Sequence, residues 1–270
     1  MFVELMPSVV SSLTLFIFGS IVGSFLNVCI VRIPKKESLI HPPSHCPNCK
    51  NPIPFYDNIP LISYLCLWGR CRFCRKPISA RYFFVELLTA ALAVALSARF
   101  GLGLGFFANF VLVAALIVIV FIDLDVRIVP DIISLPGIAL GLFLSVVQRP
   151  WPTDPLSVPP SPLSSLLGII LGGGTLIVVA MAYHGITGVE GMGGGDIKLL
   201  AMTGAFLGWP SVPLTLFAAS LAGSVVGLAF MAAKGVDSKF ALPFAPFLCT
   251  GALFYLFFGP ELIGHYLPLG

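Results

Sequence analysis

Two groups of acids and one group of thiols are the residues of this chain best suited to chemistry. The first group lies in Glu190-Gly191-Met192-Gly193-Gly194-Gly195-Asp196-Ile197-Lys198, where close charges and a run of glycines sit between apolar stretches. Hydrocarbon disfavours an ionisable group unless a partner or a wet cavity compensates it, so Asp196 marks a functional-site candidate. Glycine lets the backbone leave helical geometry and lets another chain come close, and irregular backbone at membrane depth survives only where protein or water covers it. The segment therefore reads as the floor of a wet cavity shaped by Gly193, Gly194 and Gly195, with Asp196 facing into it and Glu190 at its rim. The second group is Asp123, Asp125 and Asp131, at the end of another apolar run. Two carboxylates brought close together cannot both ionise easily, so one keeps a proton while the other takes one from water. Such a pair titrates as a unit and can both activate water and polarise a scissile carbonyl.

Asp123 is the preferred partner for Asp196, because it is the deepest of its group and has apolar residues on either side. Asp125 and Asp131 lie beside Arg127 and Pro130 and read as solvated, capping or ion-paired acids. Lys198 is expected to act on the Asp196 carboxylate by proximity, with snorkelling to the headgroups as the rival role. A membrane carboxylate pair also suits a proton relay, and glycine-broken spans occur in transporters. On residues alone, an aspartic peptidase and a proton-coupled transporter stand level. A scaffold whose aspartates merely pair with Arg127 or Lys198 is a third reading.

The elements that must position these acids follow from composition. The chain is 57% hydrophobic and 10% charged, with mean hydropathy +1.01, whereas soluble domains are roughly a quarter charged. An all-α polytopic membrane protein is expected, since 270 residues accommodate about eight spans of roughly 20 residues plus a small polar insert. Apolar runs occur at about 8–31, 82–98, 103–122, 132–147, 162–183, 197–208, 211–232 and 243–259. The 197–208 run is short and so tilted, half-buried or shielded by neighbours. The first run lacks the features of a removable signal and reads as a retained span. No internal repeat stands out. Residues 1–31, 32–81 and 82–270 read as a first helix, a polar domain and the main membrane domain.

Residues 32–81 hold nine of the fifteen basic residues, which places this loop on the cytoplasmic side. Alternation from there leaves only Arg99 and Arg149 outside, makes 150–162 an external loop, and brings Asp123 and Asp196 to the same, cytoplasmic side. The small net charge of +3, without a basic-aromatic patch, excludes a nucleic-acid partner. Within the loop, Cys46-x-x-Cys49 and Cys71-x-x-Cys74 have 21 residues between them and fit a structural four-thiolate zinc site. Two disulfides are the rival, disfavoured in a reducing compartment. Four protein ligands leave no open position for catalysis. His41 and His45 read as surface residues, and Cys29, Cys66 and Cys249 as small buried hydrophobes. Asn27, inside the first span, reads as a helix-to-helix hydrogen bond.

These motifs together resemble the type IV prepilin peptidases. Gly23-Ser24-Phe25-Leu26-Asn27-Val28 with Arg32-Ile33-Pro34 resembles that family's first span, and the four cysteines, Asn58-Ile59-Pro60, Arg81-Tyr82 and Glu86 resemble its cytoplasmic domain. Ile122-Asp123 through Pro130-Asp131 resembles the first catalytic segment, and Glu190-Gly191-Met192-Gly193 through Asp196 and Lys198-Leu199 the second. Leu242-Pro243-Phe244-Ala245-Pro246-Phe247 is similar to the last-span motif, with Ala245 where glycine is usual. The resemblance implies a peptidase of the bacterial cytoplasmic membrane with Asp123 and Asp196 as its catalytic aspartates. It also implies prepilin or pseudopilin substrates, with a basic leader ending in glycine and a hydrophobic N-terminal helix embedded among the membrane lipid. N-methylation of the new amino terminus by S-adenosylmethionine is implied too, with no residue assigned to bind that donor.

Overall fold

A computed structural model describes residues 2–148, 158–189, 192–234 and 243–266. Glu190, Gly191, Leu242 and most of the expected external loop at 150–162 lie outside the described residues. The regular elements are α1 (Phe2–Arg32), a 3-10 turn (Phe55–Asn58), α2 (Ile62–Cys66), α3 (Arg81–Phe100), α4 (Leu104–Val126), α5 (Asp131–Val147), α6 (Pro162–Thr187), α7 (Gly194–Leu207), α8 (Ser211–Lys234) and α9 (Ala245–Tyr266). The all-helical membrane expectation holds among the described residues, where six of the expected eight or so spans are matched by helices of full spanning length. Six helices, all but α2, α5 and α7, are long and apolar enough to cross a membrane. α5 has 17 residues and α7 has 14, and at about 1.5 Å per residue α7 reaches only about 21 Å against a hydrocarbon core of about 30 Å.

The chain forms two compact units, Met1–Phe106 and Phe107–Gly270. In the first, α1 lies against α3 through Gly19 and Gly23, one helical turn apart. A Cβ on Gly19 would stand 2.7 Å from Ala90 Cα, and one on Gly23 would stand 2.7 Å from Glu86 Cα. Small residues at this spacing let two helices pack in lipid, where no hydrophobic force brings them together. Asn27 Nδ2 donates to Tyr82 O at 3.0 Å, the expected bond between helices. Buried Glu86 accepts the Leu61 N–H at 2.8 Å, which ties the polar loop to α3. Leu61 itself has φ +62.

That loop is built from two matching knuckles, so an internal repeat does exist. Cys46 N–H donates to Asn51 O and Lys50 N–H to Cys46 O; 25 residues on, Cys71 N–H donates to Lys76 O and Arg75 N–H to Cys71 O, all four bonds at 3.0 Å. Lys50 and Arg75, each after the second cysteine of its pair, share a positive φ of 60° and 58°. The bridges His45 to Pro52 and Arg70 to Pro77 complete the correspondence. Asp57 clamps the second knuckle to the 3-10 turn, accepting from Arg72 Nε and Nη2 at 2.6 Å each. Cys66 departs from expectation: it is exposed, because it ends a five-residue helix on the loop surface, where Ile62 and Leu65 are exposed too.

In the second unit, α7 is the central element. Every residue from Leu199 to Leu207 is buried, so protein, not lipid, surrounds this short apolar helix. Gly168 of α6 meets Gly204 so closely that a Cβ on either would overlap the other's backbone. Ser165 Oγ donates to Ala205 O at 2.7 Å, and Gly141 of α5 abuts Ala205 and Phe206. The neighbours therefore hold α7 at a fixed depth, which positions its first turn.

Candidate active site

Asp123 sits one turn before the end of α4. The chain leaves that helix at Arg127, whose φ is +57 and whose N–H donates to Asp123 O at 2.9 Å, a left-handed stop of the kind that ends helices. Val129 and Pro130 are buried, and Pro130 leads in extended geometry into α5. Asp123 is only 5% exposed. It accepts the Ala245 N–H at the start of α9, while Oδ2 is buried without a hydrogen-bond partner. A buried carboxylate oxygen left unsatisfied is costly, and such groups concentrate where function requires them.

Asp196 lies in the first turn of α7, its N–H donating to Gly193 O at 3.2 Å. It is half-buried, at the end of the helix whose dipole favours negative charge. Asp123 and Asp196 are close enough for their carboxylates to interact electrostatically. The fully buried Cys249, one turn into α9 from Ala245, lies within the electrostatic range of both. The Ala245 and Cys249 face of α9 thus walls the pair, a contribution not legible from two apolar-looking positions. Gly195 packs against Val129, whereas a Cβ on Gly193 or Gly194 would meet nothing within 4 Å. The backbone beside Asp196 is open on that side.

Lys198 is placed differently from expectation. Its Nζ donates to Asp131 Oδ1 at 2.6 Å, not to Asp196. Residues two apart on a helix face away from each other, so Lys198 and Asp196 cannot share a side of α7. Of the solvated, capping and ion-paired roles expected for Asp131, the ion-paired one is found. Asp125 is exposed, unlike Asp123. Glu190 lies outside the described residues.

The four loop cysteines converge. Cys46, Cys49, Cys71 and Cys74 have their sulfur atoms within 4.8 Å of one another, with Cys46 to Cys74 and Cys49 to Cys71 at 3.9 Å. Tetrahedral zinc with bonds of about 2.3 Å requires sulfurs about 3.8 Å apart, so the residues fit the ion, and none of the four is joined in a disulfide. Burial pushes the Cys46 thiol up, but the N–H groups of Cys49 and Asn48 and the neighbouring thiols bring it down to about 6. At Cys49 the Asn51 N–H acts downward, and burial with hydrogen bonding to Cys46, Cys74 and Cys71 pushes the thiol up to about 11. Neither His41 nor His45 joins the cluster; His45 Nδ1 lies 3.2 Å from Pro43 O.

Comparison with known proteins gives the family. The model of the bacterial peptidase A24 N-terminal domain matches residues 17–100, and that of the type IV leader peptidase family matches residues 110–228. The chain is similar to proteins named prepilin leader peptidase/N-methyltransferase. One from Aeromonas hydrophila is 36% identical over 93% of this chain and 92% of its own length. Those from Xanthomonas campestris pv. campestris and Pseudomonas aeruginosa are 36% and 34% identical, covering 92% and 93% of this chain and 92% and 91% of their own lengths. No solved structure matches the chain significantly. The breadth of these matches and the carboxylate pair they enclose lead to one conclusion: the chain belongs to the type IV leader peptidase family.

Proposed function

We propose that the chain is a membrane aspartic endopeptidase that removes the leader from prepilins or pseudopilins and then methylates the new amino terminus. The observation carrying this reading is the buried, half-satisfied Asp123 carboxylate within electrostatic range of Asp196, in a chain aligned almost throughout with relatives named for both activities. Asp123 and Asp196 are the catalytic residues: one carboxylate takes a proton from water, and the other, protonated, polarises the scissile carbonyl. The open backbone at Gly193 and Gly194 lets an extended substrate segment reach them. The membrane is the bacterial cytoplasmic membrane, with the cysteine loop and the carboxylates on its cytoplasmic side. The excess of basic residues in 32–81 supports that orientation.

The substrate has a basic leader followed by an apolar helix, and the helix lies among lipid and surrounding apolar spans. Zinc in the four-cysteine site is structural, giving a small proline-rich loop the folding energy its core lacks. S-adenosylmethionine is the methyl donor. Nothing in the site favours the proton-coupled transporter. Purified protein incubated with a prepilin, with and without S-adenosylmethionine, should yield a mass loss equal to the leader in both cases and a methyl gain only with the donor. An intact prepilin mass after incubation would reject the reading.

A further inference from the structure

The first compact unit contains a cavity of about 420 Å³ between the ends of α1 and α3 and the polar loop, inside the range of roughly 300–1,000 Å³ typical of small-molecule sites. We infer that this cavity binds S-adenosylmethionine, with Asn27 and Glu86 as its buried acceptors. The inference rests on the reading that the chain methylates its product.

Asn27 is 3% exposed and lines the cavity. Its Nδ2 is committed to Tyr82 O, which fixes the orientation of the amide, and its Oδ1 is buried with no hydrogen-bond partner. A buried acceptor left open asks for a ligand that brings N–H or O–H groups. Glu86, 9% exposed, is a second buried acceptor on the same wall; it already accepts from the Leu61 N–H and the Ser24 side chain, and a carboxylate has lone pairs for further donors. Carboxylates serve well as acceptors for ribose hydroxyls, and an adenosyl group also carries an amino donor. Tyr64, Tyr82 and Phe83 line the same space, with the Tyr64 and Phe83 ring centroids 5.5 Å apart, giving flat faces for a purine.

Charge separates this ligand from the other molecule the protein must bind. Arg32, Lys35, Lys50 and Arg70 line the cavity against Glu37, Asp57 and Glu86, and Asp57 is already paired with Arg72. That lining repels a basic leader but offers both signs to a ligand that has a carboxylate, an ammonium and a sulfonium. In the reaction, the neutral amino terminus of the cleaved pilin uses its nitrogen lone pair to form the N–CH3 bond. The S–CH3 bond breaks with its electron pair left on sulfur, and the new secondary ammonium releases a proton to water.

The test uses purified full-length protein equilibrated with methyl-tritiated S-adenosylmethionine, irradiated, digested and mapped. Label is expected within residues 24–86, displaced by S-adenosylhomocysteine and not by a basic leader peptide. Titration should show affinity at least about tenfold weaker in Glu86→Gln, which loses a charged acceptor, and in Val28→Phe, which narrows the cavity. Label confined to 107–270, displacement by the leader peptide, or unchanged affinity in both variants would overturn the assignment. Wild-type labelling needs no variant, so a Glu86→Gln protein that failed to fold would leave it decisive. A protein that methylates pilin with label mapping elsewhere refutes the cavity alone. One that cleaves but never binds the donor or methylates refutes the methylation reading and the cavity with it.

Discussion

A Cβ on Gly195 would stand 2.7 Å from Val129 Cβ and 3.1 Å from its Cγ2. Valine is stiff at χ1 and cannot swing aside. Val129 follows the helix that carries Asp123, and Gly195 precedes Asp196, so this contact sets how closely the two carboxylate-bearing segments approach. Gly195→Ala should push the start of α7 outward and lower kcat for prepilin cleavage by up to about 10²-fold, the scale of a 1 Å misplacement in an active site. Gly194→Ala, which meets nothing, should leave the carboxylates in register. Equal activity of Gly195→Ala and wild type would show that the contact is not limiting.

The Lys198 to Asp131 ion pair predicts a modest role. Both side chains are substantially exposed, at 36% and 58%, and exposed pairs contribute about 0–1 kcal/mol. Lys198→Met and Asp131→Asn should each reduce cleavage by less than about tenfold, with the double variant no worse than the sum of the two. A loss in Lys198→Met matching that of Asp196→Asn would mean that Lys198 acts on the carboxylates directly.

The cysteine loop should carry about one zinc ion per chain, held by four thiolates. Cys46→Ser or Cys71→Ser should abolish stoichiometric zinc by elemental analysis and expose residues 44–78 to proteolysis. Zinc retained in both variants would contradict the four-thiolate site.

Acid should weaken the same loop through Asp57. The Arg72 guanidinium hydrogen-bonded to it holds its carboxyl below the ordinary carboxylate range. A group depressed in the folded state stabilises above its unfolded value of about 3.9 and loses that contribution as pH falls through the folded value. Amide exchange around residues 55–72 should therefore be slower in wild type than in Asp57→Asn at neutral pH, and the gap should close in acid. A gap independent of pH would exclude the ion pair as its source.

Much of the fold was legible because apolar runs of spanning length have few alternatives. The eight runs correspond to the eight helices other than α2 among the described residues, and the two shortest runs became α5 and α7, the helices shorter than the six of full spanning length. α7 could be recognised as short but not as central: its burial depends on Gly168, Gly172 and Gly141 on other helices, and pairing across that distance leaves no local pattern. The knuckle repeat is legible in Cys-x-x-Cys-Lys/Arg-x-Pro-Ile at 46–53 and 71–78, but as turn chemistry, which leaves no mark on hydropathy. The partner of Lys198 was not legible, since Asp131 is 67 residues away, and closeness in sequence to Asp196 is misleading because residues two apart on a helix face away from each other. The Ala245 and Cys249 wall gave no signal, because neither residue type advertises a role beside a carboxylate.

The most direct test of the central claim is cleavage of a prepilin by purified Asp123→Asn, Asp196→Asn and Asp125→Asn proteins, each shown to be inserted and folded. The account predicts that the first two lose activity by about 10²–10⁴-fold or more, the scale of removing a general acid or base, while the exposed Asp125 variant stays near wild type. Cleavage retained by either Asp123→Asn or Asp196→Asn, or abolished by Asp125→Asn alone, would contradict it.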